Sequence, residues 1–85
     1  MSTKRISELR GLGKVSARWL ESVGITREDD LRALGAVEAF ARVRLAAAPA
    51  ASLNLLYALE GALRDVDWRV LPSEVKQSLR TELSG

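Results

Sequence analysis

Between Leu9 and Ile25 the chain reads L-R-G-L-G-K-V-S-A-R-W-L-E-S-V-G-I, and no other stretch restricts its fold as tightly. Gly11 and Gly13 flank Leu12, and apolar residues at helical spacing begin directly behind them, so the backbone must bend sharply and start a fresh helix. A helix started in this way offers its first main-chain N–H groups to whatever lies in front of it, which is a place for an anion. Five cations, Lys4, Arg5, Arg10, Lys14 and Arg18, face one carboxylate, Glu8, before position 20, a local charge of +4. The rest of the chain carries −2, so the net charge of +2 is concentrated in one patch.

This segment resembles the helix-hairpin-helix motif of DNA-binding proteins that ignore base sequence: a short helix, a Gly-hydrophobic-Gly hairpin, and a second helix with a small residue near its start. The hairpin here is Gly11-Leu12-Gly13 and the small residue is Ala17. The resemblance implies that the hairpin amides approach a backbone phosphate while neighbouring basic side chains add charge. The expected nucleic-acid contacts are therefore Arg10, Gly11, Leu12, Gly13, Lys14, Val15 and Arg18. The plainer alternative is a tight turn between helices whose glycines only permit positive φ.

Eighty-five residues, 47% hydrophobic and 28% charged, make one small globular domain with a modest stability margin. The domain is expected to span 1–85, with 1–5 frayed. The chain has no cysteine and no histidine, which removes disulfides, thiolate chemistry, the usual zinc sites and the commonest general base together. No enzyme, cofactor or metal is expected. No signal-peptide core or membrane-length apolar run is present, so the expected location is the cytoplasm, away from the membrane.

Six helical segments are predicted, making an all-α bundle of five to six short helices. The first covers Ile6–Arg10, with Ile6 and Leu9 inward, and the second covers Lys14–Val23, with Val15, Trp19, Leu20 and Val23 apolar. Gly24 is a stop, with Ile25 placed for the contact that accompanies such caps. Thr26-Arg27-Glu28-Asp29 reads as a capping box opening a third helix through Leu31 and Leu34. The adjacent acids Glu28, Asp29 and Asp30 suit a helix N-terminus better than a metal, because neighbouring side chains point around a helix rather than converging. A fourth helix over Val37–Leu45 carries Val37, Phe40, Ala41 and Leu45 as its stripe. Ala46–Ala51 is a small-residue connector, and Ser52 caps a fifth helix over Leu53–Val66, the most apolar of the set. Gly61 inside that helix predicts close approach of a neighbouring helix. Trp68 reads as a core anchor rather than a stacking platform. Pro72 and Ser73 then open a last helix over Glu74–Leu83, striped by Val75, Leu79 and Leu83.

An internal repeat runs through the first half. Leu9, Arg10, Leu12, Gly13, Val15 and Ala17 recur as Leu31, Arg32, Leu34, Gly35, Val37 and Ala39, all displaced by 22 positions. Two copies predict a pseudo-two-fold pair of hairpins, of which the second is degenerate. Gly11, Lys14 and Arg18 correspond to Ala33, Ala36 and Phe40, so the second copy lacks a glycine and both cations.

The stretch Ser52-Leu53-Asn54-Leu55-Leu56-Tyr57-Ala58-Leu59-Glu60-Gly61-Ala62-Leu63, with Asp67-Trp68-Arg69 and Leu71-Pro72, resembles the C-terminal domain of the TfoX/Sxy family. The segments Leu9–Gly13, Gly24-Ile25 and Asp30–Ala36 resemble it too. That resemblance implies a helix-hairpin-helix-like fold and a link to the regulation of competence for DNA uptake, beside a cAMP-responsive activator. Full-length members carry another domain ahead of this one, whereas here Met1 precedes the motif by eight residues, so a stand-alone form is expected.

Two functions follow from these readings. The first is weak, sequence-independent contact with a DNA backbone through the Gly11–Gly13 hairpin. The second is a protein-interaction module that docks on a transcription regulator or on its own kind. A contiguous exposed patch including Val43, Leu53 or Tyr57 would favour the second.

Overall fold

The structure, a computed structural model, describes residues 4–84. Two 3-10 turns, η1 (Ile6–Glu8) and η2 (Trp68–Val70), accompany five helices: α1 (Lys14–Ser22), α2 (Glu28–Leu34), α3 (Ala36–Ala46), α4 (Leu53–Arg64) and α5 (Ser73–Ser84). The expected all-α bundle is what forms; the sole β-like feature among the described residues is an isolated bridge.

That bridge explains the architecture of the first half. Arg5 pairs antiparallel with Arg27, the Ile6 N–H donates to the Thr26 carbonyl at 3.0 Å, and the Glu28 N–H donates to the Lys4 carbonyl at 2.9 Å. Arg5 faces its own counterpart 22 positions away, and the same displacement turns the Ile6–Thr26 bond into the Glu28–Lys4 bond. Antiparallel pairing between equivalent residues is what a local two-fold axis produces, so the axis passes through this bridge. The symmetry extends to the carboxylates: Glu8 accepts from the Arg5 N–H at 2.8 Å, and Asp30 accepts from the Arg27 N–H at 3.1 Å. The repeat is therefore structural, and it begins earlier in the chain than the apolar matches suggest.

The pairing also displaces several predicted boundaries. Of the stretch expected to fray, residues 1–3 lie outside the described residues, while Lys4 and Arg5 are held by the bridge. The first helix shortens to η1, because Leu9 turns extended to enter the hairpin. Arg27 is kept extended, so α2 starts one residue later than the capping box predicted. Its reaching carboxylate is Asp30, which accepts from Thr26 and Arg27, rather than Asp29. These two main-chain donors, Thr26 first, hold the Asp30 carboxyl below its ordinary range.

Helix α1 ends as its glycine foretold: Gly24 takes φ +86°, Ile25 donates to the Leu20 carbonyl at 2.9 Å, and the Ile25 side chain is buried. Helix α4 ends earlier than predicted in the same kind of cap, with Asp65 at φ 56° and the Val66 N–H on the Gly61 carbonyl at 2.9 Å. Aspartate is among the few residues that tolerate this left-handed geometry. Helix α5 begins at Ser73, and the Pro72 carbonyl accepts from Val75 and Lys76.

Helix α4 is the spine, packed against α2, α3, α5 and η2. Leu55, Leu56, Tyr57, Ala58, Leu59 and Ala62 are all buried along it. Gly61 is required there: a Cβ would stand 2.7 Å from the Val66 carbonyl oxygen and 3.1 Å from the Trp68 main chain. The neighbour that approaches is the η2 turn rather than a helix. Trp68 is half-buried and stacks on Tyr57 with ring centroids 6.1 Å apart, and the Lys76 ammonium stands 5.4 Å from the indole.

One predicted stripe is wrong. Helix α3 buries Ala36, Ala39, Phe40 and Val43, an i, i+3, i+4, i+7 set, while Ala41 is exposed and Leu45 is 88% exposed. The alanines form the stripe because α3 packs on both α4 and α5, where small residues let backbones approach.

Candidate nucleic-acid interface

The first hairpin is built from η1, a bend, and the start of α1. Leu12 donates to the Leu9 carbonyl at 3.3 Å, and Leu9 and Leu12 both drive their side chains into the core. Leu12 is thus an anchor, and what it leaves outside is main chain. Gly11 sits at φ +84°, a conformation that strains any side chain. Gly13 differs, lying at φ −84° and ψ 179° as the N-cap of α1, and a Cβ there would meet nothing within 4 Å. The fold needs a glycine at position 11 and does not need one at position 13.

A glycine N-cap has no side-chain oxygen to accept from the first N–H groups of the helix, and no side-chain cap is made. Among the described residues, the N–H groups of Gly13, Lys14, Val15 and Ser16 have no protein acceptor; the first of α1 to find one is Ala17, on Gly13 at 2.9 Å. Gly11, Gly13, Lys14 and Val15 are all exposed. Val15, predicted to face inward, is 58% exposed because the buried side of α1 is set by Ala17 and Leu20.

The cations divide into two kinds. Lys4, Lys14 and Arg18 are exposed and belong to none of the ion pairs among the described residues. Arg10 is engaged: its guanidinium donates to the Asp65 carbonyl at 3.5 Å, just past the C-terminus of α4. Its counterpart Arg32 donates to the Leu63 carbonyl at 3.4 Å and is also ion-paired with Glu28 at 2.7 Å. The two repeated arginines therefore flank one helix end, where the partial negative charge of the unpaired carbonyls attracts them. Sequence comparison brought the pair together but could not show that they meet on a third element. Asp67, close by, has its carboxyl lowered mainly by the Arg69 guanidinium and main-chain N–H, with a further contribution from Arg10.

The second hairpin has a different surface. Gly35 closes α2 and caps α3 at once, with φ +83° and its N–H on the Leu31 carbonyl at 2.7 Å. Helices α4 and α5 flank it, and Glu38, Glu60 and Glu82 line the groove beside it; the one cation there, Arg64, is tied to Glu60 at 2.6 Å. Glu38 is paired in turn with Arg42 at 3.1 Å, and the acidic side chains lining that groove outnumber its cation.

Among the described residues no three His, Cys, Asp or Glu side chains gather at metal-binding spacing, and no helix is long and apolar enough to cross a membrane. The features on hand define a class: a small all-α domain of two pseudo-symmetric helical hairpins, one bare and cationic, one enclosed and acidic. Within that class the chain belongs to the TfoX C-terminal domain family, whose sequence model matches residues 2–83. Two solved structures are similar. One, an uncharacterized protein from Listeria monocytogenes in a triclinic crystal, has a TM-score of 0.85 and 33% identity, over 95% of this chain and 94% of that one. The other, a Listeria monocytogenes protein of unknown function in a tetragonal form, has a TM-score of 0.83 and 34% identity, over 89% of this chain and 93% of that one. No curated protein matches the chain.

Proposed function

We propose that this domain is a non-enzymatic regulatory module of the cytoplasm, related to control of competence, whose first hairpin holds a DNA backbone weakly and without regard to base sequence. The observation that carries this reading is the row of amides from Gly13 to Ser16, without protein acceptors among the described residues, on a segment exposed from Gly13 to Val15 and beside the unpaired charges of Lys14 and Arg18. A phosphate oxygen completes those donors, and the cations add attraction that depends on salt. Arg10 contributes charge from the edge while it clamps α4. Only one or two phosphates can be reached, so affinity is low and specificity absent.

The competing reading is docking on a transcription regulator or a second copy. Val43 and Tyr57, two of the three residues that would favour it, are buried, while Leu53 is exposed.

Duplex DNA titrated at low salt and followed by amide chemical shifts tests the proposal. Shifts are expected at Gly11–Val15, and Lys14→Glu with Arg18→Glu should weaken binding roughly tenfold or more and lower the salt slope by about 2. Binding unchanged by the double substitution overturns it.

A further inference from the structure

The bend at Gly11 opens sideways into a groove of about 740 Å³. Trp19 of α1 and Trp68 of η2 line it, and these are the chain's two tryptophans. Both are half-buried, and the Tyr57 ring and Lys76 fix the indole of Trp68 in place. The connector 47–51 lines the groove too, offering methyl groups and main chain in place of long side chains. Ser16 and Asn54 add polar side chains to the lining.

Open amides and unpaired cations at one end, with indole surface and polar side chains at the other, match the two halves of a nucleotide. We propose that this groove receives an unpaired base of a DNA strand whose phosphate lies on the Gly11–Val15 bend, so that the domain prefers single-stranded to duplex DNA. The inference rests on the hairpin reading above and names the form of nucleic acid it takes. Within a duplex both faces of a base are covered by its neighbours, whereas a single strand can turn a base outward, and stacking on an aromatic ring tolerates any base. The groove shares Gly11 and Ser16 with the hairpin and the start of α1, so a base in it and a phosphate on the bend would belong to one nucleotide.

The two tryptophans supply the readout. A short oligothymidylate, added at low salt, should quench intrinsic fluorescence and bind tighter than a length-matched duplex by roughly fivefold or more, the scale of one stacked base. Ala50→Glu places a carboxylate in the groove at an exposed connector residue, away from the core, and should abolish the preference while sparing duplex binding. Amide shifts at Gly11–Val15 without a fluorescence change overturn the groove and leave the hairpin reading standing. Equal quenching by thymidine monophosphate overturns the strand as occupant. Silence of the amides toward every DNA removes both.

Discussion

The two hairpins share a plan and differ in what they present. Leu9 and Leu31 are buried alike, Ala17 and Ala39 are buried alike, and Arg10 and Arg32 grasp the same end of α4. Around Gly13, however, main chain and cations stand in the open, whereas around Gly35 the surface is flanked by α4 and α5 and carries three glutamates. The scaffold is symmetric, and the copies differ at three matched positions, Gly11/Ala33, Lys14/Ala36 and Arg18/Phe40, where only the first carries cations. Phe40 shows the exchange most clearly: where the first copy has an exposed arginine, the second has a fully buried ring.

If the scaffold halves are equivalent, the largest effects should be matched. Leu31→Ala and Leu9→Ala should each cost about 2 to 5 kcal/mol in urea unfolding, because each removes a buried side chain at the same place in its hairpin. A large disparity would break the symmetry argument.

The glycines should separate the copies. Gly35→Ala forces a side chain into φ +83°, ψ 164° and should cost about 1 to 3 kcal/mol. Gly13→Ala enters ordinary backbone and open space, and should stay within about 0.5 kcal/mol of the parent. Its methyl group, on the residue that opens the row of free amides, should nevertheless weaken DNA binding. Thermal unfolding beside a DNA titration tests both halves of that statement.

Acid should act on the second copy through Asp30. Its carboxyl is held below the ordinary value by the Thr26 and Arg27 donors, so its contribution is complete above about pH 4 and is lost as pH falls through the lowered value. Asp30→Asn should be less stable than the parent at neutral pH, and the two should converge in acid. Parallel pH–stability curves would remove this role.

The smallest effects belong to the arginine clamp. Arg10→Ala and Arg32→Ala should each cost about 0.5 kcal/mol or less, since both donors are long and exposed. Similar small losses, measured by thermal melts, would support a shared structural task, and a loss of DNA affinity confined to Arg10→Ala would give that residue a second one.

Much of this molecule could be read along the chain. Glycine punctuation and apolar spacing located the helices, the displacement of 22 positions located the repeat, and the cation count located the charged end. These features are local: backbone preference, capping and the period of a helix are settled within a few residues. The tertiary structure decided what depended on partners far away in sequence. It chose the alanine face of α3 over Leu45, began α2 at Glu28 by pairing Lys4–Ile6 with Thr26–Glu28, and brought Arg10 and Arg32 to one helix end. It also exposed Val15 and opened the groove between the two tryptophans. A spacing pattern tells which side of a helix is apolar; only the neighbour that packs there determines which residues lose their water, and which main-chain donors keep it.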